Sequence, residues 1–173
     1  MVNWEGSRTA EDVGASVPKV KFSVEAGGFA AVSLGESFRL RGELRKGVTG
    51  HKGWLGTAGA DYVARDGDKW LFSIGPRVTW SNDRYHDAWF GVTPAAAVTS
   101  GLPAYDPGGG IQAYGATASF LTQFGPRWGI YTYAKYDRLV GDAADSPLVV
   151  QIGSRDQLAG GIGLSYTFGR GVE

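Results

Sequence analysis

Apolar and polar residues alternate with a period of two along most of this chain. Between Phe38 and Val48, the even positions carry apolar residues and glycine apart from Lys46, whereas positions 39, 41, 43 and 45 are all charged. A strand places such alternating residues on opposite faces, and a helix cannot separate them in this way. The same pattern predicts seven strands, over about 22–34, 38–48, 54–65, 70–80, 114–124, 128–137 and 158–168, and indicates no helix.

These strands are long enough to cross a membrane. Several run for about 11 to 14 residues, whereas five or six residues are usual in soluble sheets. Three charged residues, Lys46, Arg138 and Asp156, occupy strand positions of the apolar face. They fall at strand ends, where lipid head groups tolerate them. We therefore predict an all-β fold, an antiparallel up-and-down transmembrane β-barrel in the bacterial outer membrane. A soluble barrel with the apolar face turned inward is the alternative.

The connections between the strands alternate in length. Turns at 35–37, 66–69 and 125–127 are short, while the segments of about 82–110 and 141–155 are long. Outer-membrane barrels have short periplasmic turns and long outer loops, so the long segments are predicted to lie outside. Aromatic residues then form a girdle at each membrane surface, which comprises Trp54 and Trp80 near the outer side and Phe38, Trp70, Trp128 and Phe168 near the periplasm.

The strand count bears on the organisation of the chain. We predict an outer loop or the remnant of an upstream strand over 1–16, a barrel domain over 17–168 and a C-terminal extension over 169–173. Seven is an odd number, which bacterial single-chain barrels avoid. The chain is therefore interpreted as an N-terminally truncated larger barrel, or as an eight-stranded one whose short first strand is Val2 to Glu5. A homo-oligomer that pairs exposed edges would also close the sheet.

Composition excludes several classes of function. Lys plus Arg equals Asp plus Glu at 17 each, so no basic field favours nucleic acid. The chain has no cysteine, which removes thiolate metal sites and thiol chemistry. It contains 28 glycines in 173 residues, an excess that suits curved strands around a narrow interior.

The polar face of the strands predicts a charged interior. It carries seven cations and four anions, which are Lys21, Arg39, Arg41, Arg45, Arg65, Arg77, Lys135, Glu25, Glu43, Asp61 and Asp137. These side chains would line an anion-preferring pore or pair with one another in a filled lumen. A barrel of eight to ten strands has little free lumen, so the filled interior is favoured.

Few residues are candidates for chemistry. The two histidines, His51 and His86, fall in outer turns, where a lipid hydrolase would place a base, but we interpret both as solvated loop residues. Asp142 and Asp145 are spaced to hold a divalent cation, although capping of local turns is the favoured role. We predict no catalytic residue, no metal site and no cofactor.

One segment resembles a known family. Gly141, Asp142, Ala143, Ala144, Asp145, Ser146 and Pro147, followed by 153–157 and 163–168, are similar to the MipA/OmpV family of MltA-interacting outer-membrane proteins. The resemblance implies a non-enzymatic barrel, surrounded by outer-membrane lipid and lipopolysaccharide, that scaffolds a murein transglycosylase with a murein synthase. Porin-like members make a small channel or uptake protein the alternative, and an outer-membrane lipid hydrolase is the second alternative.

Overall fold

A single antiparallel sheet forms the framework of the protein. The computed structural model describes residues 1–13 and 17–168, so the predicted extension at 169–173 lies outside the described residues. Within them, eight strands pair in the order in which they occur along the chain. The strands are β1 (Val2–Glu5), β2 (Ser23–Leu34), β3 (Phe38–Gly47), β4 (Trp54–Asp66), β5 (Trp70–Ser81), β6 (Gly110–Gln123), β7 (Trp128–Leu139) and β8 (Asp156–Tyr166). The predicted all-β, up-and-down antiparallel architecture is confirmed.

The register keeps residues of one parity on one face of the sheet. In β3 and β4, Arg39 pairs with Asp61 and Leu40 with Ala60, so charged positions meet charged positions across the strands. The sheet curls into a half-barrel. Odd positions are the less exposed ones in β3, which identifies them as the concave face. We call the even positions the convex face, and on it large apolar side chains such as Leu44 and Trp80 remain exposed.

The two edges of the half-barrel are not paired with each other in the described part of the chain. The short β1 corresponds to the predicted remnant strand, and it pairs only with Ser23 to Ala26 of β2. At the other edge, Leu158 of β8 is 84% exposed, compared with 48% for Leu44 of β3. The difference arises because β8 has a neighbouring strand on one side only.

Helices occupy the long connections, and the prediction that the chain has none is wrong. The helices are α1 (Ala10–Val13), α2 (Asp83–Phe90), α3 (Pro94–Ser100), α4 (Gly141–Asp145) and a π-helix (Leu148–Ile152). Each is eight residues or shorter, and helices of this length depend on packing rather than on intrinsic propensity. None of the helices in the described ranges is long and apolar enough to span a membrane.

Glycines on the concave face explain part of the glycine excess. Gly27 lies beside Arg45, and a methyl group at that position would collide with the backbone of β3. At Gly161, a methyl group would lie 2.6 Å from a ring carbon of Tyr133 on β7. Glycine therefore leaves room for large side chains to lie flat across the neighbouring strand.

Candidate functional site

The long-loop end of the concave face is filled by a folded cap, which we define as residues 82–109 and 140–155. An apolar cluster joins this cap to the sheet. The strands contribute Leu55, Ala113 and Leu139, and the cap contributes Tyr85, Phe90, Ala143, Ala144 and Val149, with Trp89 packed alongside. Because buried apolar area stabilises association of the two parts, the cap is an integral part of the fold.

A second apolar cluster holds the cap together. It consists of Val17, Val92, Ala96, Leu102 and Leu148, with Ala97 and Tyr105 packed against it. Val92 and Tyr105 also exchange two backbone hydrogen bonds, of 2.9 and 2.8 Å, which close the segment that contains α3. The long connection at 82–110 is therefore ordered, and it shares its apolar cluster with Val17 and Leu148.

The family motif Gly141–Pro147 lies at the centre of this cap. Ala143 and Ala144 are buried in the first cluster. Asp142 accepts a hydrogen bond from the backbone N–H of Gly108 at 2.7 Å, and Asp145 pairs with Arg155 at 3.1 Å. The two carboxylates thus have separate partners, and the residues described contain no group of three or more His, Asp or Glu that would hold a metal ion.

Ser146 connects the motif to α2. Its hydroxyl donates to the carbonyl oxygen of Phe90 at 2.7 Å and accepts from the N–H of Leu148 at 3.2 Å, and the residue is fully buried. Replacement by alanine leaves a buried carbonyl and a buried N–H without this partner, which costs about 1–2 kcal/mol of cap stability.

We expect Ser146→Ala to accelerate amide hydrogen exchange in residues 83–90 and 141–152 while exchange in β3 and β4 is unchanged. Ser33→Ala, at an exposed position on β2, is the matched control and should leave every segment as in the parent protein. Faster exchange in the central strands, with the cap unaffected, would contradict the role assigned to Ser146.

The prediction that the histidines are solvated is wrong, because both are buried. His51 is 4% exposed, its Nε2 lies 3.0 Å from Glu25 Oε1, and its Nδ1 accepts from the N–H of Gly53 at 3.0 Å. Ser23 is adjacent, but its hydroxyl contacts the backbone N–H of His51 at 3.3 Å. The hydroxyl and the ring nitrogens are therefore used in structural contacts, with the ring packed edge-on against Tyr85.

His86 lies on α2 and is 1% exposed. Its Nδ1 contacts the carbonyl oxygen of Gly108, and its ring packs perpendicular to Phe90. The Nε2 atom is buried without a hydrogen-bond partner among the residues described. His86 thus ties α2 to the segment that leads into β6, and the structure does not bring it together with His51 as a paired site.

Beside the cap lies a cleft of about 1140 Å³, between Arg8, residues 18–21, the β3–β4 turn and the end of α2. Arg8 lies at this cleft with its guanidinium 5.9 Å from the ring centroid of Trp89, and it donates to the carbonyl oxygen of Pro18 at 3.2 Å. Burial lowers the pKa of Arg8 from its ordinary value. Asp87 and Asp106 line the same cleft.

The pair of carboxyl groups is expected to make cap stability depend on pH. Burial raises the pKa of Asp87 from its ordinary value, and the charge and hydrogen bond of Asp106 raise it further. A raised pKa in the folded state contributes stability at acid pH, and this contribution is lost as the pH rises from about 4 through the raised pKa.

Asp87→Asn keeps a neutral hydrogen-bonding group, so this variant should melt at a higher temperature than the parent at pH 7 and at a similar temperature near pH 4. Thermal melting monitored by tryptophan fluorescence across this range measures the difference. Asp68→Asn, in an exposed turn, is the control and should not alter the pH profile. A parent protein that gains stability relative to Asp87→Asn as the pH rises would contradict the assignment.

The concave face carries a network of ion pairs. Glu25 is 1% exposed and accepts from Arg45 at 2.6 Å, and Glu43 joins Arg45 at 2.8 Å to Arg41 at 3.0 Å. Two more pairs, Arg77 with Asp61 and Lys135 with Asp137, are each 2.6 Å long. All four anions of the predicted interior are therefore paired with cations of the same set.

The residues of the predicted aromatic girdle lie on the exposed face near strand ends. Phe38, Trp70 and Trp128 begin strands beside the short turns, and Phe168 follows β8, while Trp54 and Trp80 lie at the long-loop end. Several contact other rings, for instance Trp128 with Tyr166 at 4.8 Å. Whether lipid surrounds them stays a prediction.

The helices of the cap were not predicted from the sequence, although local signals exist for two of them. Asn82 accepts a hydrogen bond from the N–H of Tyr85 at the start of α2, and Thr93 does the same for Ala96 at the start of α3. Asn and Thr are preferred N-caps, and Pro94 stands at a first-turn position that favours proline. By contrast, no local sequence pattern marks buried polar residues such as Ser23 and Ser81.

Comparisons with known proteins agree with the motif. A family model described as MltA-interacting protein MipA matches residues 1–168. The MltA-interacting protein of Escherichia coli (strain K12) is 31% identical over 75 residues, which is 42% of this chain and 29% of that relative. The protein of the same name from Shigella flexneri matches to the same extent, so each match spans 29% of the relative's length. No solved structure matches the chain.

Proposed function

This chain belongs to the MltA-interacting protein MipA family, and on that premise we propose that it is a non-enzymatic outer-membrane β-barrel component that holds a murein transglycosylase. The observation that carries the proposal is the family match over residues 1–168. The relatives are named for their interaction with MltA, and we extend that interaction to this chain, with a murein synthase as a further partner.

An outer-membrane location is supported by the convex face. It exposes large apolar side chains on successive strands, including Val32, Leu40, Ile74 and Phe120. Contiguous apolar surface of this kind marks contact with lipid or protein. We propose that outer-membrane lipid and lipopolysaccharide surround it, and that the cap faces outward while the short turns face the periplasm.

The cap favours a scaffold over an open channel. Its apolar cluster with Leu55, Ala113 and Leu139 occupies the long-loop end of the concave face, where a solute would have to leave. Planar-bilayer conductance tests the channel alternative, since a channel requires discrete conductance steps. The hydrolase alternative is disfavoured because the hydroxyl of Ser23 contacts the backbone of His51 and not its ring. His51→Ala and His86→Ala should leave lipid hydrolysis at the background level.

The location is tested first. The chain is expressed with an added export signal, the membranes are fractionated, and migration on a gel is compared before and after heating. Heat-modifiable migration in the outer-membrane fraction is the expected result. A soluble product with no heat effect would overturn the membrane assignment.

The interaction is tested with the chain in detergent and a purified murein transglycosylase. Charges in the short turns, Glu36 and Asp68, are exposed, and Glu36→Lys with Asp68→Lys changes this surface without touching the sheet core. We expect these substitutions to weaken capture of the transglycosylase, whereas Asp145→Lys in the cap should not. Weakening by the cap variant alone would place the partner on the opposite side and overturn the proposed orientation, and absence of capture by the parent chain would overturn the scaffold.

A further inference from the structure

A cavity of about 220 Å³ lies on the concave face, below the cap. Four cationic side chains line it, Arg41, Arg45, Arg77 and Lys135, together with the carboxylate of Glu43 and two threonines. The cations come from β3, β5 and β7, so the curl of the sheet brings them together from distant parts of the sequence.

The carboxylates that pair with these cations lie mostly outside the cavity. Glu25, Asp61 and Asp137 hold Arg45, Arg77 and Lys135 respectively, each at 2.6 Å, but none of the three lines the cavity. The ion pairs therefore fix the positions of the cations, while the surface that faces the cavity carries four positive charges and the single negative charge of Glu43. Each arginine has five N–H donors, and the hydrogen bonds to these carboxylates use only some of them.

The backbone is shaped to admit Arg77. A methyl group at Gly59 would lie 2.6 Å from Nη1 of Arg77, so glycine at this position lets the guanidinium lie flat along the sheet. Nη1 also donates to the carbonyl oxygen of Pro76 at 2.8 Å, which holds the group in place. The side chains of Arg77 and Asp61 are 14% and 9% exposed, so this part of the cavity wall is partly shielded from water.

We propose that this cavity binds an oxyanion, the phosphate or carboxylate group of a small solute or of a larger molecule that enters from the short-turn end. Fixed arginine donors suit the planar, bidentate recognition of such groups. Arg39 and Arg65 are exposed on the same face toward the short turns, where their charge would attract an anion. The cap closes the far end, so the anion is held and not passed through. This inference does not rest on binding of a transglycosylase.

The test is calorimetric titration of the full chain in detergent, at constant ionic strength, with inorganic phosphate, glycerol 3-phosphate and acetate as probes and chloride as the background anion. Saturable binding of at least one oxyanion at a single site is expected. Tighter binding of glycerol 3-phosphate indicates a group carried by a larger molecule, and tighter binding of free phosphate indicates a solute. Absence of saturable binding for all three probes overturns the proposal.

Variants assign the binding to the cavity. Arg41 and Lys135 are the more exposed cations of the site, so Arg41→Gln and Lys135→Gln disturb folding least. Each should weaken binding about tenfold, equivalent to the loss of one hydrogen bond to a charged group. Lys69→Gln, in an exposed turn, should leave binding unchanged. A melting curve of each variant confirms that it is folded. Weaker binding in both Arg41→Gln and Lys135→Gln supports the site. An affinity equal to that of the parent protein in all three variants would overturn it.

Discussion

Replacement of Glu25 by alanine is expected to lower the free energy of unfolding by about 3–5 kcal/mol, because it removes one partner of a buried ion pair and leaves the other charge uncompensated. The carboxylate accepts hydrogen bonds from Arg45 at 2.6 Å and from the side chain of Asn3 at 3.0 Å, and it contacts His51 at 3.0 Å. Asn3 belongs to β1, so the substitution should also loosen the edge strand.

The measurement is urea unfolding of the protein in detergent, followed by tryptophan fluorescence. Glu25→Gln retains hydrogen bonding without the charge and should be less destabilising than Glu25→Ala. Glu36→Ala, in an exposed turn, should change stability by no more than about 0.5 kcal/mol. If Glu25→Ala and Glu36→Ala unfold at the same urea concentration, the network around Glu25 does not stabilise the fold.

The second large effect is expected at Gly75 of β5, which lies against the backbone of β4. A methyl group on Gly75 would overlap the carbonyl oxygen of Ala60 and lie 2.8 Å from the Cα of Asp61. Both are backbone atoms, so the strands themselves must move apart. Gly75→Ala should therefore cost about 3 kcal/mol, at the upper end of the range for overpacked positions.

Gly42→Ala is the matched control. Gly42 lies in β3 on the convex face, and a methyl group there would meet nothing within 4 Å. This variant should be neutral or more stable by up to about 1 kcal/mol, since alanine restricts the unfolded chain. The same unfolding measurement compares the two variants. Equal stability of Gly75→Ala and Gly42→Ala would show that a methyl group between β4 and β5 does not destabilise the fold.

The strands could be predicted from the sequence to within a few residues. The segments 38–48 and 54–65, for instance, became Phe38–Gly47 and Trp54–Asp66. This succeeded because the period of two is a local property that each strand shows by itself. The short strand at Val2 to Glu5 was suggested instead by the odd number of the other strands. The prediction at β6 began at 114, whereas the strand begins at Gly110, because a register shift near residues 111–112 interrupts the alternation.

The candidate site was less predictable. Ser146 and Ala143 were recognised as parts of a motif, but their burial against Phe90 and the strand ends depends on how two distant loops pack. Likewise, the alternation placed Arg77 and Asp61 on one face, whereas their pairing depends on the register between β4 and β5.

Local sequence was enough to predict the strands, their faces, the short turns and the family resemblance, since each depends on neighbouring residues or on a contiguous motif. The folded arrangement was needed to show that the long loops form a helical cap, that His51 and His86 are buried, and that four cations converge on one cavity. Short helices and buried polar groups are stabilised by contacts between segments far apart in the chain, and such contacts leave no periodic pattern in the sequence.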